Sequence, residues 1–210
     1  FTVFAAHKNM PGALEAIVND PGVQLDALIL PGHVSTITGI GIYQFLAEKY
    51  HIPGVVTGFE AVDVLQGIAM LVRQLHEGRA EIEIAYERGV RTDGNPVAQK
   101  IIADVFDTCE ATWRGLGPIP DSGYCLKPEF AEFDAVARFQ PDVEPTRDPR
   151  GCRCGDVLRS VIAPNQCPLF DKVCTPENPV GPCMVSSEGA CLNTIAVRLN
   201  DAGILNPSHY

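Results

Sequence analysis

Six cysteines, Cys152, Cys154, Cys167, Cys174, Cys183 and Cys191, crowd one stretch of this chain with the spacing C-x-C-x12-C-x6-C-x8-C-x7-C. Proline and glycine punctuate the same stretch, and neither a helical nor a strand period runs through it. Proline breaks both kinds of hydrogen-bonded ladder, so backbone regularity does not fold this segment. Thiols that hold a metal can, because metal binding and folding are coupled in small modules. Structural zinc sites carry C-x2-4-C knuckles, and this segment has none. Iron–sulfur cubanes take four thiolates, and irregular proline-flanked loops hold them. The alternative for any one sulfur is a buried thiol that packs as a small hydrophobe. For Cys152 and Cys183 both readings stay open. Cys109 falls in a helical pattern and reads as core, while Cys125 sits in a loop with no visible partner.

A second group of candidates depends on the elements that place it. From residue 1 to about 112, β-rich runs alternate with helical patterns. FTVFAA, LDALIL, GVVT and AEIEIAYE read as strands. PGALEAIVND, STITGIGIYQFLAEKY, AVDVLQGIAMLVRQLHEG and NPVAQKIIADVFDTCEATW read as helices. Pro11 suits a first turn, Ser35 a cap, Gly78 a stop, and Asn95 stands before Pro96. Repeated βα units with continuous apolar strands imply a parallel sheet covered by helices. Right-handed crossovers make that a Rossmann-like layer structure. The expected fold class is therefore α/β, with Rossmann-like parallel-sheet layers over 1–112. A connecting helix and a Pro-rich charged linker, QPDVEPTRDPRG, follow over 113–150, then a cysteine-rich, loop/helix iron–sulfur module over 151–210.

In such a sheet, ligands bind outside the carboxyl ends of the strands. Three turns there are unusual. PGHVSTITG (31–39) carries His33, TGFE (57–60) carries Glu60, and YERGVRTDGN (86–95) carries Arg88, Arg91, Asp93 and Asn95. No G-x-G-x-x-G fingerprint is present there. Loops are polar in any case, so each turn alone has an ordinary explanation in capping or solvation. Three on one edge point to a cleft, with His33 and Glu60 as candidate proton carriers or orienting groups. No nucleophile–base pair names a reaction, so enzymatic activity is left open.

The formal net charge of -10 on 210 residues argues against nucleic acid or an anionic membrane as partner. No apolar run is long enough to cross a bilayer, and no signal peptide is visible. Thiols confined to one end of an ordinary α/β chain fit a reducing, cytoplasmic compartment better than a secreted scaffold. The chain opens FTVFAAHKNMPG, without Met and apparently inside a strand, which reads as a piece of a longer protein.

PGHVSTITG, GFE, GN at 94–95, WRGLGPIPDSG, CRCGDVL, CPLF and CTPENPVGPCMVSSEGAC together resemble the hydrogenase formation protein family HypD, over nearly the whole chain. The resemblance implies two Rossmann-like α/β domains around a cleft and one 4Fe–4S cluster near the C-terminus. It implies a scaffold role in nickel–iron hydrogenase maturation. On that scaffold, iron receives cyanide and carbon monoxide with a HypC-type chaperone and a HypE-type cyanide donor as partners. Carried onto matching positions, Cys154, Cys167, Cys174 and Cys191 become the metal ligands. Cys152 and Cys183 stay in reserve, Cys183 being first to replace one of the four. His33 and Glu60 would line the cleft that holds the cargo iron. The family's upstream G-x-G-C-P-x-C-type loop is not in this sequence, and the ending LNTIAVRLNDAGILNPSHY departs from the family's aromatic-rich close. Two competing classes are a cluster-dependent thiol–disulfide reductase and a zinc-stabilised α/β binding protein.

Overall fold

The computed structural model describes residues 1–113, 115–143 and 149–201. The middle of the expected linker, 144–148, and the ending from 202 lie outside them. The chain divides into two compact units. The first comprises Phe1–Pro21, Leu25–Ala111 and Ile119–Pro141, and the second holds Gly22–Gln24, Thr112–Pro118 and the residues from Asp142 on.

The first unit is built around βα alternation. Helix α1 (Met10–Val18) carries Pro11 in its first turn, where no intrahelical N–H is needed. Strand β1 (Leu28–Pro31) runs straight into α2 (Gly32–Thr38). A 3-10 turn at Gly41–Tyr43 and α3 (Gln44–Tyr50) follow, then β2 (Gly54–Thr57). Helix α4 (Ala61–Glu77) ends where Gly78 turns left-handed at φ 64, as its position predicts. After β3 (Ile82–Ile84), Asn95 caps α5 (Pro96–Val105), its side chain accepting from the Val97 and Ala98 amides at 3.1 Å each. Strands β4 (Phe106–Trp113) and β5 (Gly117–Leu126) form a separate two-stranded sheet. A 3-10 segment at Pro128–Phe133 leads into α6 (Ala135–Phe139).

The three strands β1, β2 and β3 lie side by side, all parallel, with Leu30 opposite Val56 and Val56 opposite Ile84. Alternation on β2 serves two cores. Val56 joins Leu14, Leu30, Tyr43, Leu46 and Ile82 on one side, while Val55 joins Leu71 of α4 and Ala85 on the other. A strand buried on both faces reads as an unbroken apolar run, and GVVT does. The chain is thus mixed α/β around a three-stranded parallel sheet.

Several sequence readings are corrected. FTVFAA adds no strand to the parallel sheet. Among the described residues it pairs through a bridge from Val3 to Asp134, and Lys8 just beyond bridges to Gly123. The helix read through 35–50 is broken because Gly39 takes φ 69 beneath the segment that carries Thr92. A Cβ at Gly39 would sit 2.4 Å from the Thr92 carbonyl, which the Ile40 amide reaches at 3.0 Å. Ser35 does not cap. It lies fully buried inside α2 and donates to the Pro31 carbonyl at 2.7 Å. The helix read through Trp113 stops at Val105, because FDTCEATW finds a partner strand. Cys109 is accordingly a half-buried strand residue rather than helical core.

The second unit holds short helices: α7 (Cys154–Leu158), a 3-10 turn at Pro164–Gln166, α8 (Pro182–Val185) and α9 (Ala190–Asp201). Among the described residues, no helix is long and apolar enough to cross a membrane.

Candidate functional site

The core of the second unit is made largely of sulfur. Nine residues are buried there, and Cys154, Cys167, Cys174, Cys183 and Cys191 are five of them, beside Val157, Phe170, Met184 and Ile195. Each cysteine stands at the edge of a short element. Cys154 opens α7, Cys167 ends the turn at Pro164–Gln166, and Cys174 bridges to Phe170. Cys183 lies in α8 behind Pro182, and Cys191 lies in the first turn of α9. Two glycines let the backbone close on this group. A Cβ at Gly181 would fall 2.5 Å from the Cys152 sulfur, and one at Gly189 would fall 2.1 Å from the Cys183 carbonyl. The Cys183 thiol donates to the Cys191 sulfur at 3.0 Å, and the Val180 amide donates to the Cys174 sulfur at 3.3 Å.

No disulfide joins any of the eight cysteines. Burial pushes the Cys183 thiol up to about 12, with the Cys191 contact adding to the shift. Burial also raises Cys191 and the half-buried Cys152. Apolar packing disfavours thiolates, so a cation must offset that cost if these sulfurs are to ionise. Among the described residues, no three His, Cys, Asp or Glu side chains converge closely enough for a single ion. One zinc needs every sulfur about 2.3 Å from one centre. An iron–sulfur cluster bonds each thiolate to a different iron and takes sulfurs spread round a larger volume. The donor set has the chemistry such a cluster takes.

His33 and Glu60 occupy a different place, the carboxyl edge of the parallel sheet in the first unit. The Tyr86 ring fills a slot between Gly32, Gly58 and Gly89. A Cβ at these positions would lie 2.9, 2.9 and 2.5 Å from its carbons. The Arg88 guanidinium sits 4.5 Å above that ring and grips Asp63 through two bonds of 2.6 Å. It also reaches Glu60 at 3.3 Å. Arg88 holds the Asp63 carboxyl below the usual carboxylate range. The exposed His33 ring lies 4.6 Å from Phe59 and 6.3 Å from Tyr86. An imidazole, an exposed carboxylate and an anchored guanidinium thus share one edge. Arg91 and Asp93 are exposed, and Asn95 is used in capping α5.

The family model for HypD, described as the Hydrogenase formation hypA family, matches residues 1–198. The chain belongs to the HypD family. It is 45% identical over 192 residues to the putative hydrogenase expression/formation protein MJ0993 of Methanocaldococcus jannaschii, covering 91% of this chain and 53% of that one. It is 44% identical over 198 residues to the hydrogenase maturation factor HypD of Cupriavidus necator, covering 91% and 52%. Against the HypD of Escherichia coli the figures are 43% over 192 residues, 91% and 52%. The chain spans about half the length of these curated HypD relatives.

Two features of this HypD-family chain escaped the sequence reading. Asp63, the partner of Arg88, belongs to no motif in the sequence. Its signal is its place in the first turn of a helix that begins at a strand's carboxyl end. Cys109 and Cys125 lie on the neighbouring strands β4 and β5, where burial and then Cys125 raise the Cys109 thiol. No local pattern announces that pairing.

Proposed function

We propose that this chain is the cluster-bearing part of a nickel–iron hydrogenase maturation factor. It would work as a scaffold on which cargo iron receives cyanide and carbon monoxide, with a HypC-type chaperone and a HypE-type cyanide donor as partners. A 4Fe–4S cluster is held by Cys154, Cys167, Cys174 and Cys191, and supplies one-electron redox chemistry. The observation that carries this reading is the burial of five cysteines in a core that holds, among the described residues, four other buried members. Apolar packing alone is thin there, and metal–sulfur bonds supply what it lacks.

Within that reading the chain's own residues divide the work. Cys183 donates to the Cys191 sulfur and the Val180 amide to the Cys174 sulfur, contacts that orient ligands and tune a cluster. Gly181 and Gly189 keep the backbone close. His33 and Glu60 face the cargo on the sheet edge, Glu60 steadied by Arg88. The parallel sheet with both faces covered supports a Rossmann-like layering, and eight cysteines without a disulfide suit a reducing cytoplasm.

Oxygen-free purification tests this directly. Brown protein with iron and labile sulfide is the expected result, and colourless protein carrying stoichiometric zinc overturns it. For the scaffold role, a full-length relative carrying this segment should co-purify with the HypC-type partner and show infrared bands of diatomic ligands. Dithiol turnover without such bands would make it a reductase instead.

A further inference from the structure

We propose that Cys109 and Cys125 form a reversible disulfide site in the first unit, exchanging two electrons with a small-molecule or protein disulfide. Neither residue belongs to the sulfur core of the second unit. The proposal stands apart from the cluster and needs no metal.

The strand pairing carries it. Strands β4 and β5 neighbour each other, joined by a turn in which the Leu116 amide donates to the Trp113 carbonyl at 3.0 Å. So short a connection makes the strands antiparallel. A Cβ at Gly123 would lie 2.7 Å from the Ala111 Cβ and 3.5 Å from the Cys109 carbonyl. The Cys125 sulfur lies 3.6 Å from the Asp107 carbonyl. Residues 107, 109 and 111 alternate onto one face of β4, as 123 and 125 do on β5. With Gly123 against Ala111, antiparallel counting brings Cys125 against Cys109, and Cys125 adds to the burial that raises the Cys109 thiol. Facing residues on antiparallel strands have Cα atoms about 4.5–5.5 Å apart, inside the range of about 4.4–6.8 Å that disulfides use.

Access fits as well. Both cysteines are half-buried, so an incoming disulfide can reach them without unfolding the unit. Burial, and then Cys125, raise the Cys109 thiol, an effect that the Lys8 ammonium partly offsets. The exchange balances as follows. One thiolate attacks a sulfur of RS–SR, forming a mixed disulfide and releasing RS–, which takes up the proton. The second thiolate attacks the protein-bound sulfur, forming the Cys109–Cys125 bond and expelling the second RS–, which takes up the other proton. Two thiols become one disulfide, and one RSSR becomes two RSH.

Trypsin provides the readout, because it cuts after Arg114, between the two cysteines. Holoprotein equilibrated without oxygen in oxidised glutathione, then alkylated and digested, should yield the two peptides joined and lighter by two hydrogens. Both free thiols should be lost together, and dithiothreitol should restore both. Cys125→Ser should abolish the joined pair and leave glutathione on Cys109, and Cys109→Ser should do the reverse. Free thiols, glutathione on both sulfurs of the unaltered protein, or a link from either cysteine into the C-terminal group would each overturn the proposal. The unaltered protein decides the matter even if a variant fails to fold.

Discussion

The Cys183 sulfur donates a hydrogen bond to the Cys191 sulfur across 3.0 Å, although eight residues of sequence separate them. Two sulfurs this close do not both need to bind iron. Of the two, Cys191 is the proposed ligand and Cys183 the neighbour placed to hydrogen-bond it. Cys191→Ala should therefore remove the iron and sulfide of oxygen-free protein. Cys183→Ala should keep the colour while weakening metal affinity by about 10–100-fold, the usual cost of losing a contact to a ligand. Iron analysis and visible absorption of the two variants decide it. If Cys183→Ala comes out colourless and Cys191→Ala stays brown, ligand and donor are exchanged.

The second unit should depend on its metal and the first should not. Among the described residues, Val157, Phe170, Met184 and Ile195 are the buried apolar side chains, cysteines aside, in the second core. The first core instead collects Leu14, Leu30, Ile40, Tyr43, Leu46, Val56, Ile82 and Val90. Stripping the metal with a chelator under reducing conditions should open residues 149–201 to protease while 25–111 stays resistant. Mass spectrometry of the fragments reads this out. An apo-protein whose C-terminal segment resists protease as well as the holo-protein does would refute the metal's structural role.

Much of this was legible in the residues, for reasons that are local. GVVT is apolar throughout because both faces of β2 are covered, and Gly78 and Asn95 mark helix ends by their own backbone and side-chain chemistry. What escaped is non-local. Nothing near Gly39 says that the Thr92 segment will pack on it and break the helix there. FDTCEATW continues a helical apolar pattern until a partner strand containing Pro118 and Pro120 claims it. Likewise the types of His33, Glu60 and Arg88 pointed to the sheet edge, whereas the Tyr86 slot depends on three glycines far apart in sequence.

That slot makes a stability prediction. Gly32 joins β1 to α2 directly, and a Cβ there would lie 2.2 Å from the Thr57 carbonyl and 2.9 Å from the Tyr86 ring. Backbone cannot swing aside as a long side chain can. Gly32→Ala should destabilise the first unit by about 1–3 kcal/mol, the usual cost of overpacking. It should also displace the neighbouring His33. Urea unfolding at fixed pH measures the loss, and an unchanged midpoint would show that the junction is looser than these distances state.

The Arg88–Asp63 clamp predicts a pH dependence with a definite sign. Hydrogen bonds from Arg88 hold the Asp63 carboxyl below its ordinary range. A carboxyl depressed in the folded state stabilises the fold above its unfolded value, near 3.9, and that contribution fades as pH falls through the folded value. Asp63→Asn keeps the shape and removes the charge. The stability gap between native protein and variant should be flat above about pH 5 and should close as the pH drops below about 4. Arg88 is half-exposed, which screens the pair and keeps the gap modest. Midpoints of urea unfolding taken across that range test the sign. A gap that widens on acidification would mean Asp63 is destabilised by its surroundings and that Arg88 serves Glu60 instead.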